Sequence, residues 1–354
     1  KLNLKNLNYE NIKLKKKKIN FIENKDYITI PNKERYLSFP FNKIKSHDED
    51  VKIRYISHAS VLISFSGINM LTDPWLLGPA FSNGWWLKEP PKVRLDDIVK
   101  ITDIIYVSHN HPDHLHEETL KKFNKNIKIV TPKFRSNSSI NLLKRYGFKN
   151  ILLCEFNKVF QIYKKNFFFS ILKSGDFKDD SGIFLSINNK KILLNVDSNN
   201  LNGGILPKDI DILLSSYAGG ASGFPLCFDD YSQKEKDKIL ITNMNAQFSM
   251  VINLIEKTNA KIFIPYAGFF SELAKRDKYI LNHNRKNNFD RIYKFYKKKN
   301  LDLIDHEKID TITINQNGKV TKKKSNIEKN IYKNINDHTS GIINKSKSKY
   351  KYNS

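Results

Sequence analysis

The sequence predicts an α/β (α+β) protein of four layers, αββα, with two sheets face to face and helices outside them. Two observations carry this expectation. From Val51 onward, runs of five to seven residues alternate apolar and polar side chains or are continuously β-branched and aromatic, as strands do. Helical stretches are interspersed among these strand-rich halves, and such stretches have to bury their apolar face on a sheet.

The elements follow in order. Lys52–Ile56, Val61–Phe65 and Ile68–Thr72 read as antiparallel strands, with Ser66-Gly67 as the hairpin turn between the last two. Asp73-Pro74 ends that run, because proline has no N–H for a ladder. Residues 75–95 place all three tryptophans, Trp75, Trp85 and Trp86, among glycines and prolines. They read as an irregular aromatic loop, either a pocket wall or a plug under the sheet. A short helix over 96–102 precedes the apolar run Ile104–Val107. Further strands are expected at 127–130, 151–153, 159–163 and 167–172. A hairpin at 183–187 and 191–196 turns on Asn188-Asn189, and more strands follow at 210–214 and 262–265. Helices are expected at 115–123, 137–146, 233–259 and 289–299, the second of them stopped by Gly147.

The chain has 354 residues, 40% of them hydrophobic, enough for a sizeable core. Residues 1–50 are expected to be a basic arm, 51–320 one globular domain, and 321–354 a basic, weakly ordered tail. The formal net charge is +25. Lysine accompanies asparagine and isoleucine throughout, and its densest runs lie at the two ends, so nucleic acid is not expected as a partner. No apolar run approaches about 18 residues, so no membrane span is expected. The start lacks a secretory apolar stretch, and the only cysteines are Cys154 and Cys227. Both features fit a cytoplasmic setting.

The densest chemistry is the run Ser108-His109-Asn110-His111-Pro112-Asp113-His114-Leu115-His116, directly after the apolar strand at 104–107. Pro112 stops the strand, and Glu117 and Glu118 suit a helix's first turn. The cluster is therefore expected on a strand-to-helix loop. Neutral imidazoles and a carboxylate held there suit a divalent metal. The bland reading of Asp113 is a helix N-cap. Asp197, at the end of the strand 191–196 and before Asn202-Gly203-Gly204, would complete one metal or bridge two; its bland reading is a turn-initiating aspartate.

H-x-H-x-D-H with a later strand-end aspartate resembles the metallo-β-lactamase fold superfamily. Ser57-His58-Ala59-Ser60 and Thr72-Asp73-Pro74-Trp75 resemble its lipid-phosphodiesterase and sugar-lactonase branches. Four further segments resemble the metallo-β-lactamase-like part of the CMP-N-acetylneuraminate hydroxylase family: WLLGPAFSNGWW at 75–86, ILLNVDSNNLNGGILP at 192–207, AGGASGFP at 218–225 and PYAGFF at 265–270. With the histidine motif these span 52–285 in one order. The resemblance implies a four-layer αββα sandwich in which His109, His111, Asp113, His114 and Asp197 hold one or two ions of iron or zinc, with manganese as a further choice. His58, Asp113 and His116 become acid–base or orienting candidates. Trp75, Trp85, Trp86, Gly219, Gly220, Ser222 and Tyr266 become substrate-binding candidates; glycines 219, 220 and 223 would let successive N–H groups converge on an anion.

The chain also departs from the resemblance. A Rieske cluster needs C-x-H and C-x-x-H pairs, and neither cysteine starts one, so no Rieske cluster forms within these residues. The superfamily usually supplies another histidine before the hairpin at 183 and a last one after the strand at 262. Here Asp176, Asp180, Glu272 and His283 are the candidates nearest those places. Three function classes follow. The first is oxygen-dependent hydroxylation of an activated or N-acylated sugar, with electrons from a separate protein. The second is a metallohydrolase acting on a phosphodiester, lactone or amide through water whose pKa the metal lowers. The third is a metal-poor protein that binds a nucleotide sugar.

Overall fold

The computed structural model describes residues 49–162, 166–219, 221–297 and 299–325. The expected basic arm lies almost wholly outside the described residues, and so does most of the expected tail.

The first sheet begins with β1 (Val51–Ser57), β2 (Ser60–Phe65) and β3 (Ile68–Thr72), an antiparallel run. Ser66 (φ 49°) and Gly67 (φ 78°) both take the left-handed conformation that this two-residue hairpin turn requires. A two-residue strand, β4 (Trp86–Leu87), interrupts the aromatic loop. Then come α1 (Leu95–Ile101), β5 (Ile104–Tyr106), α2 (Glu117–Leu120), β6 (Lys128–Pro132), α3 (Ser138–Arg145) and β7 (Ile151–Cys154). Strands β3, β5, β6 and β7 run parallel, each step crossing over through a loop or helix.

The second sheet is built from β8 (Val159–Gln161), β9 (Phe167–Lys173), β10 (Ser181–Ile187), β11 (Lys190–Leu194) and β12 (Ile212–Ser216). After the long helix α4 (Gln233–Thr258) it continues with β13 (Ile262–Tyr266). A short strand β14 (Phe270–Ser271) pairs with β4, and α5 (Lys278–His283) and α6 (Phe289–Tyr296) lead to β15 (Asp302–Leu303). The chain then returns to the first sheet as β16 (Thr311–Ile314) and β17 (Val320–Lys323). The strand orders are β17-β16-β1-β2-β3-β5-β6-β7 and β15-β13-β12-β11-β10-β9-β8.

Three apolar clusters define the layers. Between the sheets, Ile53, Val61, Ile63 and Met70 from one face meet Phe167, Ile171, Leu185 and Leu194 from the other. Ile98, Leu120, Leu143 and Phe148 cover the outer face of the first sheet. Val251, Leu254, Ile255, Ile292 and Tyr296 cover that of the second. This is the αββα sandwich that the alternating strands predict.

Several expected elements differ in extent. The helix expected at 115–123 is only α2, because His116 stays extended (φ −84°, ψ 112°) and caps its start. Helix α4 matches expectation closely. Ser232 and Glu235 form a reciprocal capping box at its start, and Asn259 takes φ 47° at its end. Strand β17 extends into the stretch expected to be tail, because its partner β16 offers a free edge.

Candidate metal centre

The site is assembled at the C-terminal ends of β1, β3, β5, β11 and β13, where strands run out and loops carry side chains inward. Beyond β5, the loop 107–116 carries His109, His111, Asp113 and His114 to one point. Beyond β11, Val196 adopts φ 54°, a left-handed conformation rare for a β-branched residue, and turns Asp197 toward the same point.

Two overlapping groups of ligand atoms result: His58, Asp113 and His114 in one, and His109, His114 and Asp197 in the other. His114 Nε2 lies 3.3 Å from Asp113 Oδ2 and 3.3 Å from Asp197 Oδ2. His58 Nε2 lies 3.0 Å from Asp113 Oδ2. His109 Nε2 and His111 Nδ1 face each other at 2.8 Å. Asp113 Oδ1, Asp197 Oδ1 and His114 Nε2 are buried with no hydrogen-bond partner. Buried carboxylate oxygens are seldom left so, because desolvation costs about 1–3 kcal/mol or more for a charged group. A divalent cation with oxygen and imidazole ligands satisfies all three, so the residues present fit a metal. His111 is exposed and Asp197 partly so, which leaves the cluster open on one side.

The electrostatics agree with this fit. Burial lowers His109 well below the usual imidazole range, and the neighbouring imidazoles of His114 and His111 add to that. Burial also lowers His111. Burial alone would raise Asp113; the imidazoles of His114 and His58 outweigh it and hold the carboxyl well down. Asp197 is likewise held at about 2, with His114 outweighing burial. His114 moves well above its ordinary value, since Asp113 and Asp197 together outweigh its burial. An ionised carboxylate pair around one imidazole is the charge pattern that a cation replaces, with loss of the imidazole's extra proton.

Asp73 belongs to the site, although the sequence reading treats it only as the end of a strand. It is fully buried, with φ 35°. Its Oδ1 accepts from Ser108 N at 2.7 Å. Its Oδ2 accepts from Ser108 Oγ at 2.7 Å and from His114 Nδ1 at 3.0 Å. That bond fixes the His114 tautomer with Nε2 directed at the centre. The signal was there to find: an aspartate at the end of a strand parallel to the histidine-bearing one. Beneath the loop, Tyr106 Oη is 2.8 Å from Ser181 Oγ, which donates to the Ser108 carbonyl at 2.7 Å, tying the two sheets together.

The remaining site expectations divide. Asp180 reaches the cluster, but behind it: its Oδ1 is 3.4 Å from His109 Nδ1, on the side of the ring away from His111. Burial and the charge of Asp197 push it up to about 8. Asp176 is tied to Asn199, Glu272 to Lys286 and Asn284, and His283 to the Tyr279 carbonyl. These three are engaged elsewhere and do not reach the cluster. His116 is the N-cap of α2, taking the role that sequence logic gave Asp113. Its Nδ1 accepts from Thr119 N, and its Nε2 lies 3.2 Å from the Pro79 carbonyl. With both nitrogens engaged it is a structural residue rather than an acid–base group.

The aromatic loop is both plug and wall. Trp75 and Trp86 are buried, their indole N–H groups donating to Gly78 and Asn83 carbonyls. Tyr266 is buried between the sheets. Trp85 stacks on Phe270 at 3.7 Å and lines a cavity of about 290 Å³ with Phe224, Arg276 and Asn284. Phe81 joins that wall to the edge of His111 at 5.9 Å. Gly219 takes φ 83°, while Gly220 and the Ser222 side chain lie outside the described residues.

Comparison with known proteins agrees with this fold. Residues 52–175 match the model of a beta-lactamase superfamily domain. The chain belongs to the metallo-β-lactamase fold superfamily. Within it, the sequence is 36% identical over 247 residues to the cytidine monophosphate-N-acetylneuraminic acid hydroxylase of Xenopus laevis, covering 67% of this chain and 41% of that protein. It is 34% identical over 263 residues to the inactive counterpart from Homo sapiens, covering 72% of this chain and 52% of that protein. The chain thus spans about half or less of these relatives' length. Among solved structures, CmlA, a diiron beta-hydroxylase from Streptomyces venezuelae, is similar with a TM-score of 0.48 and 17% identity, over 76% of this chain and 55% of that one. Among the described residues, no helix is long and apolar enough to cross a membrane.

Proposed function

We propose that this chain is the metal-bearing part of an oxygenase that hydroxylates a nucleotide-activated, N-acylated sugar, with electrons delivered by a separate protein or domain. The observation that carries this reading is the 36% identity over 247 residues to a protein named for hydroxylating CMP-N-acetylneuraminic acid. His109, His111, Asp113, His114 and Asp197 hold the metal, one or two ions of iron by this reading. The metal supplies oxygen activation when bound. The chain's own residues do the rest. Asp73 and Asp180 address the Nδ1 atoms of His114 and His109, turning each Nε2 inward. Trp85, Phe81 and Phe270 wall the open side beside His111 and keep water from part of it.

Hydrolysis is the second reading. It is favoured by one observation: the two cysteines, Cys154 and Cys227, cannot build an electron-transfer cluster, and hydrolysis needs none. The same carboxylates would then orient the attacking water. One experiment separates the two. Iron-loaded protein is incubated with CMP-N-acetylneuraminic acid, oxygen and a ferredoxin–reductase pair, and the product is weighed. Gain of one oxygen atom that depends on the electron donor supports hydroxylation. A donor-independent cleavage product, or an unchanged sugar, contradicts it.

A further inference from the structure

His58 stands outside the histidine motif, yet its ring is delivered to the centre with unusual care. It sits in the tight turn between β1 and β2, just after an irregularity in their pairing at Tyr55–Ser57. Its φ of 42° is left-handed, a conformation that is costly for a residue with a Cβ. Such strain survives where the surroundings over-determine it, and it gathers at ligand-binding positions. Here the surroundings are explicit. Ala267 N, at the end of β13 and itself at φ 59°, donates to the His58 carbonyl at 3.0 Å. Ser57 Oγ donates to the Trp75 carbonyl at 2.7 Å. The Trp75 ring meets the His58 ring edge-on at 5.0 Å. The imidazole is fixed by both sheets and by the plug of the aromatic loop.

The spacing of the ligand atoms then decides its role. His58 Nε2, Asp113 Oδ2, His114 Nε2 and Asp197 Oδ2 follow one another at 3.0, 3.3 and 3.3 Å. Four donors about 2.0–2.2 Å from one ion in a tetrahedron stand roughly 3.3–3.6 Å apart, and closer when the coordination number rises. His58, Asp113 and His114 are mutually within the reach of one ion, whereas Asp197 falls in the overlapping group with His109 and His114. His58 Nδ1 is buried without a partner, as is His306 Nδ1, and both residues line a cavity of about 10 Å³. A proton on Nδ1 leaves Nε2, the nitrogen that faces Asp113, to the metal.

We propose that His58 is a direct metal ligand rather than an acid–base group, standing with Asp113 and His114 around one divalent transition-metal ion. This rests on the reading that the centre holds a metal. His109 stands in the second, overlapping group with His114 and Asp197, and faces His111.

The test separates a ligand from a hydrogen-bonding neighbour. The protein is stripped of metal and titrated with cobalt(II), following stoichiometry and the visible absorption of the bound ion; activity is not read. His58→Gln keeps a donor for Asp113 but is a poor ligand, and His58→Glu supplies an oxygen ligand instead. The proposal expects His58→Gln to lose at least a hundredfold in cobalt affinity with a changed visible band. His58→Glu recovers tight binding with a third, distinct spectrum. Thermal melts of the chelated variants check that each folds. His58→Gln binding within threefold of wild type, with a superimposable spectrum, overturns the proposal while leaving a metal-dependent enzyme intact. A wild-type protein that binds cobalt as described yet hydroxylates nothing overturns the functional reading and leaves this one standing. No cobalt bound by the wild type overturns both.

Discussion

Asp73 accepts three hydrogen bonds, two from Ser108 and one from His114, so it fixes both the start of the histidine loop and one ligand's tautomer. Asp73→Asn keeps the shape but places an amide N–H where an acceptor is needed. Metal affinity is expected to fall about 10–100-fold, read by competition with a chromophoric chelator. His306 makes a different prediction. It is buried against Tyr55 and Phe269, and burial, then the charge of Lys92, hold its pKa down to about 4. A histidine depressed in the folded state is protonated more readily once unfolded. Its contribution to stability is complete above about pH 6.5 and is lost as pH falls through 4, about 3 kcal/mol in all. His306→Phe is expected to flatten the acid limb of denaturant-measured stability between pH 6.5 and 4. An acid limb as steep as the wild type's would contradict this.

The loops that carry ligands depend on neighbours that leave no room. Gly175 N donates to the Asn199 carbonyl at 2.8 Å, and a Cβ on Gly175 would stand 2.2 Å from the Asn200 carbonyl oxygen. Gly175→Ala therefore has to push back the 197–200 loop that presents Asp197. The expected loss is about 1–3 kcal/mol in stability, with metal affinity lowered at least tenfold, both read from thermal melts with and without metal. Elements of this kind were partly readable from sequence. Strands with period-two alternation, the left-handed Asn188-Asn189 and Ser66-Gly67 turns, and the capped helix α4 declare themselves locally. The H-x-H-x-D-H loop did so as well, because proline and the first-turn acids bracket it. What could not be read depends on distant packing. Asp73 becomes a site residue only because β3 ends beside β5. Asp176, Glu272 and His283 lie near the right places along the chain, yet each finds its own partner first. Strands β15, β16 and β17 are too short or too polar to declare a pattern and form only on strands already paired, with β15 and β17 as the edges.

The two sheets divide the centre between them. His58, His109, His111, Asp113 and His114 come from the first, Asp197 from the second, and Tyr106, Ser181 and Ser108 link the two directly below. A bound ion therefore clamps the sandwich at one end and adds to its stability by mass action. At free metal about a hundredfold above its Kd that is about 2.7 kcal/mol. For a fold of this size chelation is expected to lower Tm by roughly 5–10 °C. An unchanged Tm on chelation would mean the centre binds no ion. The arrangement also accounts for the charge pattern: two buried carboxylates share one imidazole, and a bound cation takes the place of that imidazole's extra proton.

That cation is the centre of the account, and elemental analysis of protein purified without chelator tests it most directly, run beside the His109→Ala/His111→Ala/Asp113→Ala/His114→Ala variant. The structure predicts at least about one transition-metal ion per chain in the wild type and none in the variant. Wild-type protein that holds no iron, zinc or manganese, even after reconstitution with each, would contradict it and leave the metal-poor sugar-binding protein as the reading to pursue.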